Sequence, residues 1–269
     1  MSWFSDFQPI GGFMQALLWI ALGLFIIATV APRKVAYPIG ATGWVFFSLH
    51  WAYQPVHYLA IEDYFNVIAT ILVAVFCGYV AFVMWKKADD LTLLITKAAA
   101  LGGILYFSFA ELASLNHVLI GAVATQTTLT LNSFGVPAVQ ADWNVLTLNG
   151  YPVQIILGCT GIESIALFLG VISCVRAPPR RKLAAFLVSV PTIYILNVLR
   201  NAFVLTATGN QWFGLPETSF YISHNVIAKF GSIGALVLIS YMVFMMLPEL
   251  LDMVVGVFDM LKGGVMRAS

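Results

Sequence analysis

A thiol, a guanidinium and an imidazole stand at Cys159, Arg200 and His224, in a chain otherwise poor in polar chemistry. Cys159 lies in Gly158-Cys159-Thr160-Gly161, directly ahead of an apolar run, so it is expected to open a helix. At a helix N-terminus the dipole and the free N–H groups favour a thiolate. The flanking glycines let a peptide carbonyl approach the sulfur closely. A guanidinium offers a fixed charge on a planar fork of donors, suited to an oxyanion or a thiolate. An imidazole can take the thiol proton and later protonate a leaving amine. Together the three residue types describe acyl transfer through a thioester. Each also has a plain structural reading. A lone membrane cysteine fills apolar space, an arginine snorkels to headgroups, and a histidine begins a helix at the interface. Their common depth favours chemistry, and that depth follows from the helices that carry them.

Composition makes those helices legible. Of 269 residues, 61% are hydrophobic and 9% charged, too little charge to cover a soluble domain of this size. Apolar stretches of about 18 residues or more recur along the chain, the signature of membrane helices. The expected fold is an all-α polytopic membrane protein, one membrane domain over 1–269. About seven transmembrane helices are read by length and apolarity, over 12–32, 36–53, 64–85, 93–116, 159–176, 183–207 and 224–247. Residues 1–12 carry Asp6 and no basic residue, while Arg33 and Lys34 follow the first run. That order argues against a cleavable signal peptide and places the N-terminus outside. Basic residues gather at Arg33 and Lys34, at Lys86 and Lys87, and through 176–182. Alternating threading puts all three groups on one side, the cytoplasm by the positive-inside rule. The opposite connections carry Glu62, Asp63, Asp142 and Glu217. Pro248 ends the last span, and the segment 248–269, apolar with Asp252, Asp259 and Lys262 interspersed, reads as a cytoplasmic interfacial helix. An eighth span is the alternative.

The segment 117–158 differs in kind. Residues 127–131 and 145–147 alternate β-branched, apolar and polar types, and Asn149-Gly150 is a favoured hairpin-turn pair. A small external β-hairpin over the outer mouth of the bundle is expected, an irregular loop being the alternative. The core helices span 159–235. Cys159 lies about 26 Å of helix from Arg176, and Arg200 about 27 Å above Lys182, at about 1.5 Å per residue. His224 opens the last span from outside, so all three residues reach the extracytoplasmic layer. Glu163 follows Cys159 by one turn on the same face, where a carboxylate opposes thiolate formation. A pairing of Glu163 with Arg200 or Lys229 is therefore expected. Asn197 and Asn201 flank Arg200 and Asn225 follows His224, where they can orient the basic groups or bridge helices. Cys77 sits deep in the third span, and Cys174 lies about 22 Å down the helix from Cys159, beyond disulfide reach. Cys159 is thus a free thiol. No cofactor or metal is expected: His50, His57, His117 and His224 all lie toward the outside, but no His-Glu-x-x-His spacing occurs. A net charge of +1 offers nothing to nucleic acid.

The run Gly158-Cys159-Thr160-Gly161-Ile162-Glu163-Ser164, then Asn197-Val198-Leu199-Arg200-Asn201 and His224-Asn225, resembles the exosortase/archaeosortase family. Its Cys-Thr-Gly-Ile-Glu form is most similar to the archaeosortase members. The likeness covers residues 150–235 well and the first four spans only in general character. It implies an extracytoplasmic cysteine transpeptidase of sortase-like activity embedded in the membrane. The implied partners are exported proteins with a C-terminal tripartite sorting signal: a short motif, a transmembrane helix and a basic tail. For the archaeosortase branch the implied motif is Pro-Gly-Phe. Its substrates include surface-layer glycoproteins, and processing is linked to a prenyl-derived lipid, making a membrane lipid acceptor the second partner. The family's nucleophile falls on Cys159 and its arginine on Arg200. Its third position, which varies between His and Arg, falls on His224. Two other readings stand beside this one. A multi-pass transporter would use Arg200 and Glu163 as a charge pair, although transporter sites more often lie near the midplane. A membrane hydrolase would resolve the thioester with water and transfer no lipid.

Overall fold

In lipid the backbone finds no partner except itself, so each long apolar run closes its hydrogen bonds as a helix. The computed structural model describes residues 12–60 and 62–266, with the side chains of 264–266 left aside. Asp6, and with it the charge order ahead of the first span, lies outside the described residues, as do residues 267–269. The chain divides into two units, Met1–Gly103 and Ile104–Ser269.

The first unit contains α1 (Gly12–Val30), α2 (Arg33–Ala60), α3 (Tyr64–Lys86) and the start of α4 (Asp90–Glu111). Helix α2 packs against both α1 and α3. Phe25 and Trp44, both buried, meet with ring centroids 4.7 Å apart, and the Trp44 indole donates to Thr96 Oγ1 at 2.8 Å. Helix α2 carries the buried polar side chains His50 and Gln54, which meet protein partners. His50 Nδ1 lies 3.1 Å from the Met14 carbonyl, and its Nε2 lies 3.2 Å from the Gln54 amide nitrogen.

The second unit holds the end of α4, then α5 (Ala113–Ser133), three strands, a 3₁₀ turn (Leu157–Cys159) and α6 (Ile162–Cys174). It continues through α7 (Pro179–Gly209), α8 (Pro216–Tyr221), a π-helical segment (Ile222–Ala228), α9 (Lys229–Met246) and α10 (Pro248–Met266). Among the described residues, five helical segments are long and apolar enough to cross a membrane: Gly12–Val30, Tyr64–Lys86, Asp90–Glu111, Pro179–Gly209 and Pro216–Met246. With the shorter apolar α6, they make this a polytopic, mostly α-helical membrane protein carrying a small antiparallel sheet.

The segment 117–158 departs from expectation. Residues 127–131, read from sequence as a strand, belong to α5. The threonines there do not compete with the helix, because their hydroxyls bond back to carbonyls of the preceding turn. Thr127 donates to Val123 O, Thr128 to Ala124 O and Thr130 to Gln126 O, at 2.7–3.1 Å. The sheet is a three-stranded meander rather than a lone hairpin: β1 (Val139–Asp142), β2 (Val145–Leu148) and β3 (Tyr151–Gln154). The expected turn joins β2 to β3, with Asn149 at φ 53° and Gly150 at φ 84°, the left-handed pair of a tight hairpin.

One face of this sheet, with Leu146, Leu148 and Val153, packs into a cluster with Val123 and Ala124 of α5 and Leu205 of α7. Leu148 approaches α7 so closely that a Cβ added to Gly209 would lie 2.6 Å from its own. The Asn149 amide donates to Gly209 O and Asn210 Oδ1, both at 3.1 Å. The sheet is thereby locked to the last turn of α7, and β3 leads directly into the Cys159 turn. At the other end of the unit, Arg181 grips Glu249 through two hydrogen bonds, and Cys174 Sγ meets Met253 Sδ at 3.9 Å. These contacts tie the amphipathic α10 to α7 and α6.

Because Cys77, Cys159 and Cys174 are all buried, introduced cysteines can report the threading against a quiet background. Glu217→Cys is expected to react with a membrane-impermeant maleimide in intact cells, and Lys87→Cys only after permeabilisation. The opposite pattern would invert the orientation read from the basic residues.

Candidate active site

The strand β3 delivers the chain to Ile155, whose N–H donates to Asn144 O at 2.8 Å while the Asn144 amide returns a bond to Ile155 O at 3.2 Å. With its exit fixed, the backbone tightens into the 3₁₀ turn. Cys159 N–H donates to Ile156 O at 2.8 Å, and the Thr160 hydroxyl to Leu157 O at 2.7 Å. Gly161 then turns the chain into α6 with φ 74°. A Cβ there would also sit 3.3 Å from the Asn197 side chain, so glycine is favoured by conformation and eases a tight approach. Cys159 therefore precedes α6, whose first residue is Ile162, instead of occupying its first turn as expected from sequence.

Two side chains of α7 hold this turn. Asn197 Nδ2 donates to Cys159 O at 2.5 Å and Asn201 Nδ2 donates to the same oxygen at 2.8 Å. Both asparagines are buried. Positions four apart on a helix share a face, which brings both amides to one point. The sequence left two roles open for these residues, orienting the basic groups or bridging helices; in the structure both amides bridge α7 to the main chain of Cys159.

Beside this anchor lies a cavity of about 130 Å³. Gly158 and Gly161 face it from the turn, Glu163 and Ser164 from α6, Arg200 from α7 and Ser232 from α9. Leu196, Leu236 and Ile239 supply apolar wall. The Arg200 Nε is buried without a hydrogen-bond partner, a donor that normally finds an acceptor. The Arg200 charge lies within electrostatic range of both Cys159 and His224, and the Glu163 charge within range of Cys159. Cys159 itself is 7% exposed and packs in the apolar cluster with Ile120, Val123, Ala202 and Leu205, while its two glycine neighbours line the cavity.

Glu163 departs from the pairing expected of it. The Tyr106 hydroxyl of α4 lies within interaction range of the Glu163 carboxyl, and among the described residues no ion pair joins Glu163 to Arg200. The charge pair on which a transporter would rest is therefore not formed. Tyr106 went unnoticed in the sequence, where a tyrosine in an apolar run reads as interfacial filler. His224 is half-buried in the π-helical segment and stacks on Phe220, with centroids 5.1 Å apart and planes 8° from parallel. Such wide turns recur at functional sites. Asn225, beside it, is exposed and lies outside the cavity lining. Lys229 is exposed and within electrostatic range of His224. Among the described residues no group of three His, Cys, Asp or Glu side chains could hold a metal ion. His117 instead stacks on Trp143 at 4.1 Å.

The shared acceptor makes a stability prediction. Removing one amide leaves the Cys159 carbonyl one bond, costing about 1 kcal/mol. Removing both orphans a buried acceptor, adding a desolvation cost of roughly 1–3 kcal/mol. Thermal unfolding in detergent should show Asn197→Ala/Asn201→Ala losing more than the two single variants combined. Simple additivity would mean that the two bonds do not back each other up.

The sequence model of the transmembrane exosortase family matches residues 12–246. Archaeosortase A of Haloferax volcanii is 29% identical over 284 residues, covering 92% of this chain and 93% of the relative. Archaeosortase A of Natronomonas pharaonis is 27% identical over 275 residues, covering 89% of this chain and 86% of the relative. No solved structure matches. A family match over most of the chain, two full-length relatives and a Cys-Thr-Gly-Ile-Glu turn held in place by α7 lead to one assignment: the chain belongs to the transmembrane exosortase family.

Proposed function

We propose that this protein is a membrane-embedded cysteine transpeptidase. It cleaves C-terminal sorting signals of the Pro-Gly-Phe type from exported surface proteins and passes the new C-terminus to a lipid acceptor. The observation that carries this reading is the double amide anchor on the Cys159 carbonyl, set beside an arginine whose buried Nε has no partner. The names of the two relatives support the class of reaction.

In the first step Cys159 Sγ attacks the carbonyl carbon of the scissile bond and the thiol proton passes to His224. Arg200 donates to the oxyanion that forms. As the tetrahedral intermediate collapses, the C–N bond breaks and the departing amine takes the proton from His224. In the second step a lipid amine or hydroxyl attacks the thioester carbonyl, loses its proton to His224, and frees the thiol. Asn197 and Asn201 position the nucleophile's backbone. The burial of Cys159 in an apolar cluster keeps bulk water from the thioester and favours a membrane-borne acceptor over hydrolysis.

Cys159→Ala is expected to abolish substrate processing while the protein still inserts and accumulates. Cys77→Ala and Cys174→Ala should retain substantial activity, and full processing by Cys159→Ala would falsify the thioester mechanism. Arg200→Lys keeps charge but loses the planar fork, so its rate should fall by about 10²-fold or more if the donor geometry serves an oxyanion. His224→Gln should be inactive or very slow, because an amide cannot take up the thiol proton. Mass spectrometry of the mature C-terminal peptide decides the acceptor. A lipid-modified terminus is expected; a free carboxylate on the bulk of the product, with native lipid present, would make this enzyme a hydrolase.

A further inference from the structure

Two groups of opposite charge, Glu163 and Arg200, line the same small cavity without pairing with each other. A carboxylate and a guanidinium facing one apolar-walled space would ordinarily close on each other, since each is costly to leave unsatisfied. Here the Tyr106 hydroxyl lies within range of Glu163, and Arg200 Nε keeps an unused buried donor. A carboxylate has about four acceptor positions, so even one bond from Tyr106 would leave most of them available.

The charges restrict what can lie between them. An anion would satisfy Arg200 and be repelled by Glu163; a cation would do the reverse. A peptide unit is neutral, with a carbonyl acceptor on one edge and an N–H donor on the other, and satisfies both. The cavity, at about 130 Å³, is several times the ~30 Å³ share of one water, and Leu196, Leu236 and Ile239 suit an uncharged neighbouring side chain. Gly158 leaves open space beside the turn, with no atom within 4 Å of an added Cβ.

We propose that Glu163, positioned by Tyr106, accepts the backbone N–H of a substrate peptide unit whose carbonyl is bound by Arg200 Nε, next to the bond that Cys159 attacks, which leaves the other guanidinium N–H groups for the oxyanion. Glu163 is then a substrate-binding residue and Tyr106 a positioning residue acting through it. This inference rests on the peptidase reading above and adds a recognition element that is blind to side-chain identity.

The test uses the full-length Cys159→Ala protein in lipid nanodiscs, which can bind but not cleave. The probe is a fluorescent peptide with a Pro-Gly-Phe motif followed by apolar residues, together with a set in which each backbone amide in turn is an ester. One ester position should weaken binding by about tenfold or more, as expected for a lost hydrogen bond to a charged group. Adding Glu163→Ala should erase that penalty. Glu163→Gln, which keeps a carbonyl acceptor, should restore part of it, and Tyr106→Phe should shrink it without moving it to another position. Glu163→Met, similar in shape but without an acceptor, serves in place of Glu163→Ala if that protein fails to accumulate. No sensitive position, or an unchanged penalty without Glu163, overturns the proposal. If wild-type protein cleaves the all-amide peptide in that case, the peptidase reading survives alone. A peptide neither bound nor cleaved by any form overturns both.

Discussion

Two amides one helical turn apart on α7 converge on a single oxygen, the carbonyl of Cys159, and the geometry of the candidate site hangs from that point. The 3₁₀ turn has no sheet partner and lies ahead of α6, so its backbone polar groups must be satisfied by something else. Asn197 and Asn201 do this, and Arg200 lies between them in sequence on the same rigid helix. The spacing between thiol-bearing turn and guanidinium is therefore set by α-helical geometry rather than by a flexible loop. Gly161 completes the arrangement: its φ of 74° favours glycine, and an added Cβ would sit 3.3 Å from the Asn197 side chain.

The small sheet serves the same end from the other side. Asn149 and Leu148 fasten it to the end of α7, and Asn144 fixes the point where the chain leaves β3 for the Cys159 turn. The same helix thus holds the segment ahead of Cys159 through Gly209 and Asn210, and Cys159 itself through its asparagines. Helix α5 closes the cluster beneath, its threonines turned inward to their own carbonyls. Polar residues in this region are largely spent on holding backbone. Others, Glu163 and Arg200 among them, line the cavity.

Helix positions were largely readable from residue type, because bilayer thickness and backbone hydrogen bonding leave an apolar run of that length few options. The segments read at 64–85 and 183–207 became α3 and α7, and the turn at Asn149-Gly150 formed as its dihedral preferences require. Where local pattern was ambiguous the reading failed. Residues 127–131 alternate like a strand, yet threonine can be β-branched filler or a hydroxyl bonded to its own helix, and packing against the sheet selected the second. The strand β1, at Val139–Asp142, has a mostly exposed pattern and carried no alternation to reveal it.

The sequence by itself determined that this is a membrane bundle and that Cys159, Arg200 and His224 are its unusual residues, since residue type, span length and motif are local properties. Partners were another matter. That Asn197 and Asn201 bind the Cys159 backbone, that Tyr106 comes within range of Glu163, and that the Cys159 side chain rests among apolar neighbours were decided only by tertiary structure. A buried polar group must find a partner, and which one it finds depends on how helices distant in sequence are rotated and stacked against one another.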